Sequence, residues 1–230
     1  SGSFYVPSTL QTISWGYLPN RTAKPVLTIP SGATVVFDTV SHEGLLEDQG
    51  RDAAAYFGTK GVPRAQVLDE AQAITASKLA HDFDKDGPHI VTGPIAIEGA
   101  MPGDVLKVEI LKVEPRVPYG VISNRHGKGA LVGEFPRKPA QANPSAAHPE
   151  RYANVSVFTP IEPGKNGYEG IIATPGGKKI RFPLNPFMGI MGVAANTDQP
   201  VHSVPPAAHG GNVDVNDLGA GTTAYYPVQV

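Results

Sequence analysis

Short apolar runs punctuated by glycine and proline dominate this chain, and most of them follow β-type rather than helical spacing. The stretch Pro25-Val-Leu-Thr-Ile-Pro30 is followed by the turn Ser31-Gly32 and then by Ala33-Thr-Val-Val-Phe-Asp-Thr-Val40, which predicts two strands joined by a tight connection. Ile95 to Glu98 leads through the turn Gly99 to Asp104 into a run over 105–114. There apolar and charged residues alternate, with Lys107, Glu109 and Lys112 on the wet side, as in a strand of an antiparallel sheet. Three more strands are expected at 152–158, 170–174 and 179–184. One segment breaks the pattern. After Pro63, the residues Val67, Leu68, Ala71, Ile74 and Leu79 fall near helical spacing with no internal glycine or proline, predicting one amphipathic helix near 64–81. Residues 136–150 show no periodicity and read as a mobile surface loop. The expected fold is mainly β, with sandwich- or barrel-like antiparallel sheets and that single helix, in one domain over residues 1–230.

Composition sharpens this picture. Gly and Pro are abundant (26 and 23 of 230 residues), but hydrophobic residues at 40% indicate a turn-rich globular chain rather than a disordered one. The absence of cysteine excludes disulfides, thiolate-held metals and a thiol nucleophile, so any metal must sit on His, Asp or Glu. With 19 Lys and Arg against 21 Asp and Glu, the formal charge is -2 and no basic stretch tracks a phosphate backbone; no nucleic-acid partner is expected. No run approaches the roughly 18 apolar residues of a membrane span, so no membrane partner is expected either. The Ser1-Gly2-Ser3 start, without Met or a signal-peptide core, fits a processed exported protein and a tag remnant equally, leaving exported and cytoplasmic locations both open.

Gly127-Lys-Gly129-Ala-Leu-Val-Gly133 has the wrong spacing for a dinucleotide or P-loop motif and lacks a strand-to-helix context. There is no Gly-x-Ser-x-Gly elbow, although a Ser–His–Asp triad needs no sequence proximity. The seven histidines carry more. His42-Glu43-Gly44 follows a strand end, His89 lies between turn residues, and His209-Gly210-Gly211-Asn212-Val213-Asp214 links a His to an Asp through two glycines. Imidazole nitrogens and carboxylate oxygens together suit a zinc-like divalent ion. Each histidine taken alone reads as a loop or capping residue, Asp104 as ordinary turn chemistry, and Lys107 and Lys112 as a solvated strand face.

Four motifs in order give these residues a family. Gly93-Pro94-Ile-Ala-Ile-Glu-Gly99-Ala-Met-Pro102-Gly103-Asp104-Val-Leu-Lys-Val-Glu resembles the signature of the acetamidase/formamidase family. So do Pro186-Phe187-Met188-Gly189-Ile-Met-Gly192-Val193-Ala194, the His209–Asp214 stretch, and Leu218-Gly-Ala-Gly-Thr-Thr-Ala-Tyr-Tyr-Pro227-Val228. Ser41-His42-Glu43-Gly44 and Ser123-Asn124-Arg125-His126-Gly127-Lys128-Gly129 are similar to a branch of it. The resemblance implies a metal-dependent amidohydrolase that cleaves small linear or cyclic amides, with zinc as the cofactor and a homo-oligomeric assembly. It assigns metal binding to His42, His89 and Asp214, the general base to Glu43, and orientation of substrate or of Asp214 to Asn212. Members of the family continue past the Tyr-Pro-Val strand into a Gly-Ala-Leu-Phe strand and later Gly-Asp-x-His and Gln-Gly-x-Gly-Glu segments. A C-terminal partner chain, or a missing segment, is therefore expected beyond Val230. Two other classes stay open from the residues alone. One is a non-catalytic carbohydrate- or ligand-binding β domain, against which one Trp and 7% aromatics argue; the other is a metal-independent Ser hydrolase.

Overall fold

The structure, a computed structural model, describes residues 3–137 and 141–230. The Ser1-Gly2 start and residues 138–140 of the expected loop lie outside the described residues. In chain order the strands are β1 (Ser3–Val6), β2 (Ile13–Trp15), β3 (Tyr17–Leu18), β4 (Leu27–Ile29) and β5 (Thr34–Phe37), followed by helices α1 (Ala53–Gly58) and α2 (Asp69–Ala76). Next come β6 (Ile90–Thr92), β7 (Ile95–Ile97), β8 (Val105–Glu109), β9 (Tyr119–Arg125), β10 (Asn154–Gly164), β11 (Gly167–Ala173) and β12 (Lys179–Pro183). The chain closes with β13 (Ile190–Gly192), β14 (Val201–His202), β15 (Gly210–Asn212) and β16 (Thr223–Pro227). The fold is mainly β.

Two compact units divide the chain. The first comprises Ser1–His42, Ser77–Val113 and Pro186–Val230; the second comprises Glu43–Ala76 and Glu114–Asn185. Strand pairs build the first unit: β2 with β6, β3 with β14, β13 with β15 and β8 with β16 are antiparallel, while β1 with β5 and β4 with β7 are parallel. The two strands expected on either side of Ser31-Gly32 both form, but they do not pair with each other; each takes a parallel partner from elsewhere in the chain. Along β8 the side chains alternate between exposed and half-buried, as the period-two pattern requires, and Lys107 bonds Glu109 at 3.0 Å on the exposed face. Asp104 accepts the Met101 amide within its turn. The core of this unit holds Val6, Trp15, Leu18, Ile29, Ile90, Ile110 and Tyr226.

The second unit is a four-stranded meander, β9-β10-β11-β12, accompanied by both helices. Its core holds Leu45, Leu46, Phe57, Ile74, Tyr119 and Ile171. The expected helix over 64–81 forms only in part, as two pieces, and residues 77–81 are not helical. Arg64–Gln66 forms a 3-10 turn after Pro63, Val67 is extended, and α2 then runs from Asp69 to Ala76, burying Ala71 and Ile74. Gln72 explains the break: its side-chain amide donates to Val67 O (2.9 Å) and Arg64 O (3.2 Å), satisfying carbonyls that a continuous helix would have used. Asp69 and Glu70 sit in the first turn of α2, where the helix dipole favours negative charge. Helix α1 has no counterpart in the apolar pattern; Asp52 caps it by accepting the Ala55 amide at 2.9 Å.

Candidate active site

In the first unit, the end of the β5 segment and the start of β6 bring two of the expected residues together. The rings of His42 and His89 stand edge to face with centroids 5.3 Å apart. His89 Nδ1 lies 2.9 Å from Ser203 Oγ, and Ser203 is fully buried. This contact exists because position 87 is glycine: a Cβ there would fall 2.0 Å from Ser203 Oγ. Burial, reinforced by the neighbouring imidazoles of His42 and His202, pushes the His89 pKa down to about 4. The ring is therefore neutral at pH 7, the form a metal ligand or a neutral hydrogen-bonding group requires.

The His209–Asp214 stretch forms β15 and its exit. Asn212 donates through Nδ2 to Val204 O at 3.1 Å. Asp214 is exposed, takes a left-handed backbone (φ 49) and donates its amide to Gly189 O at 3.1 Å. Three glycines here admit no side chain. A Cβ at Gly192 would meet His209 O at 2.2 Å, one at Gly210 would meet the Tyr226 ring at 2.5 Å, and one at Gly211 would meet Leu18 at 2.7 Å. The motif is thus a close backbone-to-backbone packing motif as well as a source of polar groups.

Glu43 opens the second unit, at the centre of a polar network. Its Oε1 accepts from Ser123 Oγ (2.6 Å) and from Arg125 (3.3 Å), and its Oε2 accepts from Gln49 Nε2 (2.6 Å). Arg125 also donates through Nε to Asp48 Oδ2 at 2.5 Å, and Asn154 Nδ2 donates to the same oxygen. Gln49 further donates to Ser156 Oγ at 3.2 Å. The Asp48 side chain is 0% exposed, and those of Glu43 and Arg125 are 11% and 14% exposed. Ser123 and Arg125 belong to the Ser123–Gly129 stretch, so a register reading of β9 as alternating faces, with 123 and 125 on one side, was the available signal.

Among the described residues, no group of three His, Asp or Glu side chains is gathered so that it could hold a metal ion. His42 and His89 bring two imidazoles side by side, which supplies two nitrogen donors for a divalent ion rather than a complete centre. The single Trp is buried against His81, with ring centroids 4.5 Å apart, and offers no exposed aromatic platform. Among the described residues no helix is long and apolar enough to cross a membrane.

A mainly β chain with paired imidazoles at a strand end and a glycine-lined His–Asp motif defines a class, and comparison with known proteins gives it a family. Residues 66–202 match the model of the Acetamidase/Formamidase family. The chain belongs to that family. It is 27% identical over 179 residues to a formamidase from Methylophilus methylotrophus, covering 65% of this chain and 44% of that protein. It is 26% identical over 187 residues to an acetamidase from Mycolicibacterium smegmatis, covering 65% and 46%. The chain therefore spans about half the length of the curated relatives it matches. Among solved structures, an acetamidase from Bacillus halodurans superposes with a TM-score of 0.62 at 27% identity, over 98% of this chain and 58% of that one. A gamma lactamase from Delftia acidovorans shares the fold, with a TM-score of 0.58 over 95% of this chain and 55% of that one at 15% identity.

Proposed function

We propose that this chain takes part in the hydrolysis of a small amide to a carboxylate and ammonia or an amine, as part of a single acetamidase/formamidase domain, with a divalent ion, zinc by ligand chemistry, as cofactor. The observation that carries this reading is the His42–His89 pair, in which burial keeps one ring uncharged. His42 and His89 would hold the ion, with Asp214 as the third donor expected from the motif. When bound, such an ion supplies Lewis-acid polarisation of the amide carbonyl and a water of lowered pKa. Ser203 fixes the His89 ring through Nδ1. Glu43 accepts the proton of the attacking water and returns it to the leaving nitrogen, so that an amide C–N bond breaks as a C–O bond forms. Ser123 and Gln49, each donating at 2.6 Å, hold its two oxygens in place for that exchange. Asn212 keeps the 204 carbonyl tied to β15, which orders the approach to the His–Asp motif. The test is metal content by elemental analysis together with product release from linear and cyclic amides. His42→Ala and His89→Ala should each lower both metal content and turnover. Retention of both by either variant would refute the assignment.

A further inference from the structure

Asn166 is followed by Gly167, the single Asn-Gly step in the chain. Lys165 and Asn166 form the short connection between β10 and β11, and residues 165–168 are all exposed. The Asn166 side chain has no hydrogen-bond partner among the described residues. Gly167 takes φ +125, a backbone that residues with a side chain rarely adopt, and a Cβ placed there would meet nothing within 4 Å. The turn thus calls for glycine at 167, and glycine leaves the 167 nitrogen without a side chain to screen it. Gly164 and Gly167 are the last pair of the β10–β11 ladder, so freeing the 167 amide opens only the terminal rung.

The fold protects the comparable positions. Asp86-Gly87 has the same spacing of carboxyl and glycine nitrogen, but Asp86 Oδ1 accepts from Tyr17 at 2.6 Å and Oδ2 from the Asp82 amide at 2.8 Å, and Gly87 is buried against Ser203. Asn20, Asn124, Asn154 and Asn212 each donate through the side-chain amide. Asn143 and Asn185 precede proline, whose nitrogen carries no proton. We propose that Asn166 is a site of spontaneous covalent modification, losing its side-chain amide as ammonia through a cyclic imide formed with the Gly167 nitrogen. That nitrogen gives up its proton and attacks Asn166 Cγ; the N–Cγ bond forms, the Cγ–Nδ2 bond breaks, and Nδ2 leaves with the proton as ammonia. Water then adds its hydroxyl to an imide carbonyl and its proton to the nitrogen. Opening at Cγ gives aspartate at 166, and opening at the main-chain carbonyl gives isoaspartate. Both products put a negative charge on the turn, and isoaspartate also inserts a methylene into the main chain next to the 164–167 pair.

The test uses the full chain, kept warm at pH 8 with a chelator present so that metal-assisted turnover contributes nothing, and sampled over weeks. Digestion at acid pH with mass spectrometry locates amide-to-acid conversion, and enzymatic methylation of isoaspartate separates the two products. Conversion at Asn166 is expected to run about tenfold or more faster than at Asn20 or Asn124, the factor that one side-chain hydrogen bond is worth. It should also slow at pH 6, because attack requires the deprotonated nitrogen. Asn166→Gln, whose longer side chain closes the ring far less readily, should remove the fast conversion and the isoaspartate label at 166. Conversion at Asn166 no faster than at Asn20 or Asn124, isoaspartate arising at Asp86 as fast as at Asn166, or a label at 166 that persists in Asn166→Gln would overturn the proposal.

Discussion

Ser203 Oγ, fully buried, and Nδ1 of the half-buried His89 are 2.9 Å apart, and the missing side chain at Gly87 is what lets them meet. Residues 114 apart in sequence thus set the orientation of one imidazole. Ser203→Ala should cost about 1–2 kcal/mol by leaving the Nδ1 side of the ring without its partner. Gly87→Ala should be more damaging, because the new methyl overlaps the hydroxyl. The double variant should be less destabilised than the sum of the two, since removing the hydroxyl removes the worst overlap; denaturant unfolding of the four proteins measures that coupling.

Arg125 and Asp48 form an enclosed ion pair in the second unit. Removing one partner leaves a charge with no water around it, so Arg125→Met should destabilise by about 3–5 kcal/mol. Arg21 pairs with Asp198 at 2.5 Å as well, but with side chains 51% and 59% exposed. Arg21→Met should hardly move the unfolding midpoint. Equal effects at the two sites would contradict the burial contrast.

His89 also makes stability depend on pH in a defined direction. Its folded pKa is about 4 against an ordinary 6.5, so as pH falls below about 6.5 the unfolded chain takes up a proton that the folded chain refuses. The stability present above that value is lost progressively toward pH 4 and changes no further from this group below it. His209, also held neutral by burial, adds a loss of the same sign. Denaturation of metal-stripped protein between pH 7.5 and 4 should show the decline, and His89→Gln should flatten it. An unchanged slope in the variant would count against the burial of the ring.

The strands were legible because period-two alternation and turn residues are local signals. Lys107 and Glu109 on the wet face of β8 illustrate it. What local pattern could not supply is pairing. The β4 and β5 strands flank one turn yet find parallel partners at β7 and β1, which depends on packing across the chain. The split of the 64–81 helix depended on one side chain, Gln72, whose reach no apolar periodicity encodes. For the site, His42, Glu43, His89 and the His209–Asp214 motif stood out by residue type and neighbours. Ser203, Gly87 and Asp48 did not, and Arg125 stood out only as part of its motif, because their roles come from contacts across 77 or more residues.

The most direct measurement of the central claim is product release by the purified chain: ammonia from formamide and acetamide, and the amino acid from a small lactam, each with metal content determined on the same sample. The proposed function predicts turnover of at least one of these amides, abolished by a chelator, restored by zinc, and lost with His42→Ala and His89→Ala. A folded chain that releases no product from any of them with zinc present, or one whose turnover is indifferent to both the chelator and the two histidines, would contradict it.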